Sequence, residues 1–444
     1  MNPKITLRKF PAPFQAALTI CNDIDGTNFK NFIRTHHFFN SNEESSLGQG
    51  LGLPIGDSFW MYNEPGADDT AFSYFANLNQ QQSKWAPLIR DFIACGILDV
   101  LHTYGNFCSP GVFSRQLAHT ALDELDRYRL KVKTWTNHGC NKNQQKIGKK
   151  SGGCGDVTGA SNGGETVYHT DLLKKYGIQF FWEQEAQVTS VVGQEREFRY
   201  ADAYWNSPLY QGFRLKTKHA VKGILNRLDR MYYRISQSHF LPWEPPEPEN
   251  ALICEEMLRD GNRLWKFKRF GNGRLDWCDH LPVLFSEKVI EELLEKQGYL
   301  IAYVHLGSRF PNSDGSTLSP ESIKTLQKIA RYYASGKIWI DTTTRILSYN
   351  HIWRHLKWAY EETDYKYLIY IDEKQKMDIK QEDLGGLTFN VPTDKEVNVI
   401  FRNRKLPTQE IPDGNIDCRD IRLPLRKIEW PLGKNDVNAI LKEN

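Results

Sequence analysis

The sequence predicts an α/β fold: a parallel sheet with helices outside, as a barrel or a doubly wound sheet, followed by a small antiparallel β appendage. Three observations predict it. Short apolar runs alternate with helical patterns over the first two-thirds of the chain. Polar residues collect just past several of those runs. From about residue 361 the helical patterns stop, and short alternating segments bounded by turn residues take over.

The strand candidates are 16–21 (AALTIC), 97–101 (ILDVL), 131–135 (KVKTW), 178–182 (IQFFW), 299–304 (YLIAYV) and 337–340 (KIWI). Amphipathic stretches lie between several of them. Leu117, Ala121, Leu125 and Tyr128 share a helical face at 114–129. Val289, Ile290, Leu293 and Leu294 do so at 286–297. At 319–335 the helix signals are complete: Ser319 as N-cap, Pro320 at the first helical position, a stripe of Ile323, Leu326, Ala330 and Tyr333, then Gly336. Insertions interrupt the pattern near 38–70, 140–166 and 240–280. The second holds the Gly-rich GKKSGGCGDVTGASNGG, whose Gly148-Lys149-Lys150 lacks the upstream glycine of a phosphate loop. The third opens on the stiff PWEPPEPEN. The segments YKYLIYIDE, GGLTFNVP, VNVIFRN and IRLPLRKIEW then read as a β-rich unit, giving domains of 1–360 and 361–444.

Composition excludes several classes. With 40% hydrophobic and 25% charged residues among 444, the chain is neither disordered nor collagen-like. Lys+Arg 57 against Asp+Glu 54 is too balanced to argue for nucleic acid. No run approaches the ~18 apolar residues of a membrane span. The opening MNPKITLRKFPAPFQAALTICND is broken by Pro11, Pro13 and Gln15, which makes a poor secretory signal. The 8 cysteines are scattered without a C-x-x-C pair, as in a reduced, cytoplasmic protein. Aromatics reach 12%; their rings suit sugar faces and an ordinary core alike.

In a parallel barrel, residues past the C-terminal strand ends share one mouth. The first strand ends Cys21-Asn22-Asp23-Ile24-Asp25-Gly26. Asp23 and Asp25 are two apart, so an extended chain points them the same way, and two such carboxylates repel unless a cation lies between them. The same segment also reads as a plain Asp-Gly turn. Later strands end in His102, in Asn137-His138 and in His305. Any one of these histidines is ordinarily a packed structural residue. Carboxylates with imidazoles at successive strand ends make an oxygen/nitrogen site suited to a divalent metal, Zn²⁺ first, with Co²⁺, Ni²⁺ or Mn²⁺ as alternatives. Glu183 and Glu185 offer a different pair, the acid and base of a glycosidase, or else a solvated loop. The run Trp265-Lys266-Phe267-Lys268-Arg269-Phe270 alternates basic and aromatic residues, as an anionic-sugar site or a half-exposed strand would.

The order of these motifs resembles the polysaccharide deacetylase family, carbohydrate esterase family four or the NodB-homology group, over residues 10–350. The family's T-F-D-D-G reads T-I-C-N-D-I-D-G, its H-x-x-x-H reads His102-Thr-Tyr-Gly-Asn106, and its last apolar strand and histidine read Tyr303-Val304-His305. The resemblance implies a distorted (β/α)7-type barrel and a metal-dependent hydrolase removing N-acetyl groups from an amino-sugar polysaccharide or glycan precursor. It implies Asp25 and His102 as metal ligands, Asp23 as base and His305 as general acid. Asn106 stands where the family has its second ligand histidine. His138 is a new imidazole that can replace it; ligation by the Asn106 carbonyl and a metal-free site are the other outcomes. Asn106, Asn137, Trp182 and Trp135 are the candidate substrate contacts, with Trp60 and Tyr104 completing an aromatic rim for which core packing is the default reading of each ring. A non-catalytic carbohydrate-binding relative and a glycoside hydrolase on a related barrel are the competing readings.

Overall fold

A computed structural model describes residues 5–64, 72–107, 112–137, 168–183, 186–194, 209, 213–236, 241, 250–258, 260–272, 274–307, 317–372, 379–412 and 416–442. The chain is mixed α/β, with two sheets whose central strands run parallel. One has the order Ile253–Met257, Arg263–Phe267, Phe180–Glu183, Thr134–Asn137, Leu98–His102, Asp57–Phe59, and only its Ile253–Met257 edge pairs antiparallel. The other has the order Gln187–Val188, Arg269–Phe270, Tyr299–Val304, Ala16–Asn22, Ile338–Ile340, all parallel. Ala16–Asn22, Tyr299–Val304 and Ile338–Ile340 are buried throughout, which explains their largely apolar runs: both faces of such strands are covered by packed elements.

The helices follow their caps. Asn28 accepts from Asn31 N at 2.8 Å and opens Phe29–Asn40. Ser114 does the same for Arg115–Arg127. Ser319 caps Pro320–Ala334, as its sequence signals predict. The buried face of Arg115–Arg127 is Ala118, Ala121, Leu122 and Leu125. The predicted stripe was rotated slightly, since Leu117 is only half-buried and Tyr128 is 41% exposed.

Two sequence expectations need correction. The stretch 38–70 is more than an inserted loop: it supplies the Asp57–Phe59 edge strand and the buried Leu53, Ile55 and Trp60. A three-residue strand reading Asp-Ser-Phe carries too little apolar pattern to announce itself. The C-terminal unit is also not purely antiparallel. Lys366–Ile371 pairs in parallel with Glu396–Phe401, while Thr388–Pro392 pairs antiparallel with Cys418–Arg422 and with the N-terminal Thr6–Leu7. Packing is continuous across residue 360: Tyr299 and Ile301 share a core with Ile369, Phe389 and Val391. Trp430 packs on Phe92, ring centroids 5.3 Å apart. Among the described residues no helix is long and apolar enough to cross a membrane, and Cys21, Cys95, Cys254, Cys278 and Cys418 are free thiols.

Near the start of Leu98–His102, Asp99 is buried. It accepts from Thr344 N at 2.6 Å, and Thr344 Oγ1 bonds Thr134 Oγ1 at 2.7 Å. Burial pushes the Asp99 carboxyl up to about 7, partly countered by the Thr344 hydrogen bonds. A carboxylate raised in the folded state binds its proton more tightly there than in the unfolded chain, whose value is ~3.9. Charging it therefore costs stability as pH rises from ~4 to 7, with no further change above. Asp99→Asn is expected to gain on the wild type by up to about 4 kcal/mol across that window, measured by urea unfolding at several pH values. A pH-independent difference would show that Asp99 does not titrate there.

Candidate metal centre

The Ala16–Asn22 strand ends at the centre of this site. Asp23 N donates to Val304 O at 2.9 Å, so the chain still follows its neighbour as it leaves the sheet. Asn22 is locked on both sides: its Nδ2 donates to Asp57 Oδ1 and Leu306 N donates to its Oδ1, each at 2.6 Å. Asp57 is held in turn by His36 Nε2 at 2.8 Å, and His36 Nδ1 by Asn40 Oδ1 at 2.9 Å. Ile24 N donates to Ser58 Oγ at 3.0 Å, and Thr27 N to Ile24 O at 3.0 Å. Asp23 and Asp25 thus leave a backbone fixed by several bonds across two sheets.

Asp23, Asp25 and His102 each bring one ligand atom into a group within 4.8 Å, and this group could hold a metal ion. His102 closes its strand, and its Nε2 lies 3.4 Å from Asp23 Oδ1. The chain then turns through Thr103 (φ 50°) and Tyr104 (φ 76°), both in the left-handed region. That is costly for a β-branched residue, about 1–3 kcal/mol. Thr103 N and Oγ1 donate to Thr136 O, and Tyr104 O accepts from Met61 N and Tyr62 N, which holds the turn in place. Burial disfavours a charged His102 ring, but the Asp23 and Asp25 carboxylates outweigh it and raise its pKa.

Asp23 is fully buried and bound by two guanidinium nitrogens of Arg269, at 2.6 and 3.1 Å. Arg269 is itself fully buried, 3.5 Å from the Trp182 ring centroid and 4.1 Å from that of Tyr303. A bidentate guanidinium fixes both oxygens of Asp23 and compensates its charge in a dry setting. Arg269 belongs to the basic-aromatic run, and no sequence motif assigns it to the site.

His305 stands across from Asp25, its Nε2 at 3.5 Å from Asp25 Oδ2. Its Nδ1 lies 3.1 Å from Asp276 O. A carbonyl only accepts, so Nδ1 carries a proton and Nε2 of the neutral ring turns a lone pair toward Asp25. Burial opposes charge on His305, yet the Asp25 hydrogen bond and the two carboxylates raise its pKa. Asp25 is 37% exposed. Its burial pulls upward, but the His102 charge and the His305 hydrogen bond hold it below the usual carboxylate range. Gly307 packs directly on Thr27: a Cβ there would overlap Thr27 Oγ1 and stand 2.6 Å from Thr27 N. The His305 loop and the Asp25 turn are thereby pressed together.

None of the other expected site residues is in the ligand group of Asp23, Asp25 and His102. Asn137 closes its strand opposite Glu183 and donates to Glu183 Oε1 at 2.9 Å, which engages the one described residue of the glycosidase pair. Trp182 and Trp135 are each 1% exposed, Trp182 against Arg269 and Trp135 edge-on to His169, so neither presents a face to a sugar. Trp60 and Tyr104 are buried as well. Asn106 lies on a short strand, Gly105–Asn106, paired with Tyr62–Asn63. His138 and Glu185 lie outside the described residues.

The donor chemistry fits a divalent cation, with one condition. Trp60 Nε1 donates to His102 Nδ1 at 2.9 Å, so the neutral ring carries its proton on Nε2, facing the carboxylates. Ligation through Nε2 shifts that proton to Nδ1, where it would face the indole N–H. Trp60→Phe is therefore expected to raise affinity for Zn²⁺ about tenfold by titration calorimetry, and unchanged or weaker binding would contradict this orientation. Arg269→Met is expected to cost about 3–5 kcal/mol in urea unfolding, because it strands the buried Asp23 charge. Adding Asp23→Asn should recover part of that loss; strictly additive costs would mean the pair is not coupled. No family model, curated protein or solved structure matches this chain.

Proposed function

We propose that the protein is a metal-dependent hydrolase that removes N-acetyl groups from an amino-sugar polysaccharide or glycan precursor in the cytoplasm. The observation that carries this reading is the convergence of Asp23, Asp25 and His102 with His305 facing them. The reading also takes the two sheets as one distorted barrel. Arg263–Phe267 and Arg269–Phe270 are nearly consecutive yet lie in different sheets. Gly56, beside one edge strand, approaches Thr342, just past the other.

Asp25 and His102 would hold the cation, with Asp23 beside them. When bound, Zn²⁺ or a similar ion supplies Lewis-acid polarisation of the acyl oxygen and acidifies water. The chain's own groups supply the rest. Asp23 takes the proton of the attacking water, and Arg269 keeps that carboxylate oriented. His305 delivers a proton from Nε2 to the departing amine, its ring fixed by the Asp276 carbonyl at Nδ1. Free amino sugar and acetate result.

Acetate release from N-acetylated oligosaccharides, measured with elemental analysis of the same preparation, tests the reading. Asp25→Ala is expected to lose both bound metal and activity. His305→Ala should keep the metal and lower kcat about 10²- to 10⁴-fold. A metal-loaded wild type that releases no acetate would overturn it.

A further inference from the structure

The helix Phe213–Ser236 is inside out. Val221, Ile224, Leu228, Met231 and Ile235 repeat at intervals of three and four, so they form one stripe along the helix. That stripe faces solvent: the five are 51, 62, 49, 62 and 86% exposed. Among the described residues of the helix, the buried ones lie away from the stripe: Gly223, Asn226 and Asp229. Asn226 and Asp229 are fully buried, and Asp229 Oδ1 accepts from Leu241 N at 3.1 Å. A helix serving only the fold would turn the other way.

Charge identifies what covers the stripe. The helix sequence carries seven Lys and Arg against a single acidic residue, Asp229, which is buried. At 100° per residue, Arg214 and Lys218 fall on one flank of the stripe and Arg227 on the other, and all three are exposed. An apolar strip edged by cations on both sides matches a bilayer interface with anionic headgroups. Pairing of two copies through this face would set the flanking cations of one against those of the other. We propose that Phe213–Ser236 is an interfacial helix that docks the protein on anionic phospholipid, lying in the surface without crossing it. The inference is independent of the hydrolytic reading.

Co-sedimentation of the full chain with vesicles tests it, one set of phosphatidylcholine alone and one with about one-third phosphatidylglycerol. The wild type should bind the anionic vesicles, bind the neutral ones far less, and release with rising salt. Ile224→Ser, Leu228→Ser and Ile235→Ser together should lower binding about tenfold or more. Arg214→Gln, Lys218→Gln and Arg227→Gln together should abolish the anionic preference. All six positions are exposed, so circular dichroism and thermal unfolding of both variants should match the wild type. Folded wild type that ignores anionic vesicles would overturn the proposal. So would self-association without lipid, seen by sedimentation velocity and lost in the serine variant, which would assign the stripe to a second copy.

Discussion

The buried pair of Asp23 and Arg269 is the constraint on which the candidate centre depends. A carboxylate at the head of a fully buried strand is costly to keep ionised, and its neighbours Asp25 and the protein interior make it costlier. Arg269 answers this with two hydrogen bonds and a charge that cannot be given up. Its own burial is compensated in turn by Asp23 and by the ring faces of Trp182 and Tyr303. The two residues are far apart in sequence and sit on strands flanking Tyr299–Val304, the strand that leads into His305. One ion pair therefore links the end of Ala16–Asn22 to the Arg269–Phe270 strand across Tyr299–Val304, the strand that leads into His305.

Much of this was legible in the residues. The apolar runs at 16–21, 97–101, 299–304 and 337–340 are strands within a residue or so, because a strand buried on both faces is built mainly of apolar side chains, with Thr19 and Asp99 the buried polar exceptions. The acids and histidines were legible because they come at or just past the C-terminal ends of these strands: His102 and His305 directly after their apolar runs, Asp23 and Asp25 just past Asn22.

Arg269 did not, since it lies inside a short strand whose alternating pattern is equally that of an exposed edge. Its signal was an arginine within the aromatic run WKFKRF, and reading it required knowing that Trp182 and Tyr303 arrive beside it. For the aromatic residues the default reading of core packing held: Trp135 is buried edge-on to His169 and Trp182 is buried against Arg269. The helix Phe213–Ser236 was not read from the sequence, and its apolar periodicity alone would not say which way that face points.

The pairing of Ala16–Asn22 has a consequence for biosynthesis. Its hydrogen-bonded neighbours are Tyr299–Val304 and Ile338–Ile340, so the strand bearing the acids leaves the ribosome long before either partner exists. Until then its largely apolar stretch has no sheet to join, and an orphan strand of that kind invites wrong partners or chaperone capture. The candidate metal centre is accordingly among the last parts of the molecule to come together, and a nascent chain stalled before residue 299 has its first carboxylates with nothing to fix them in place.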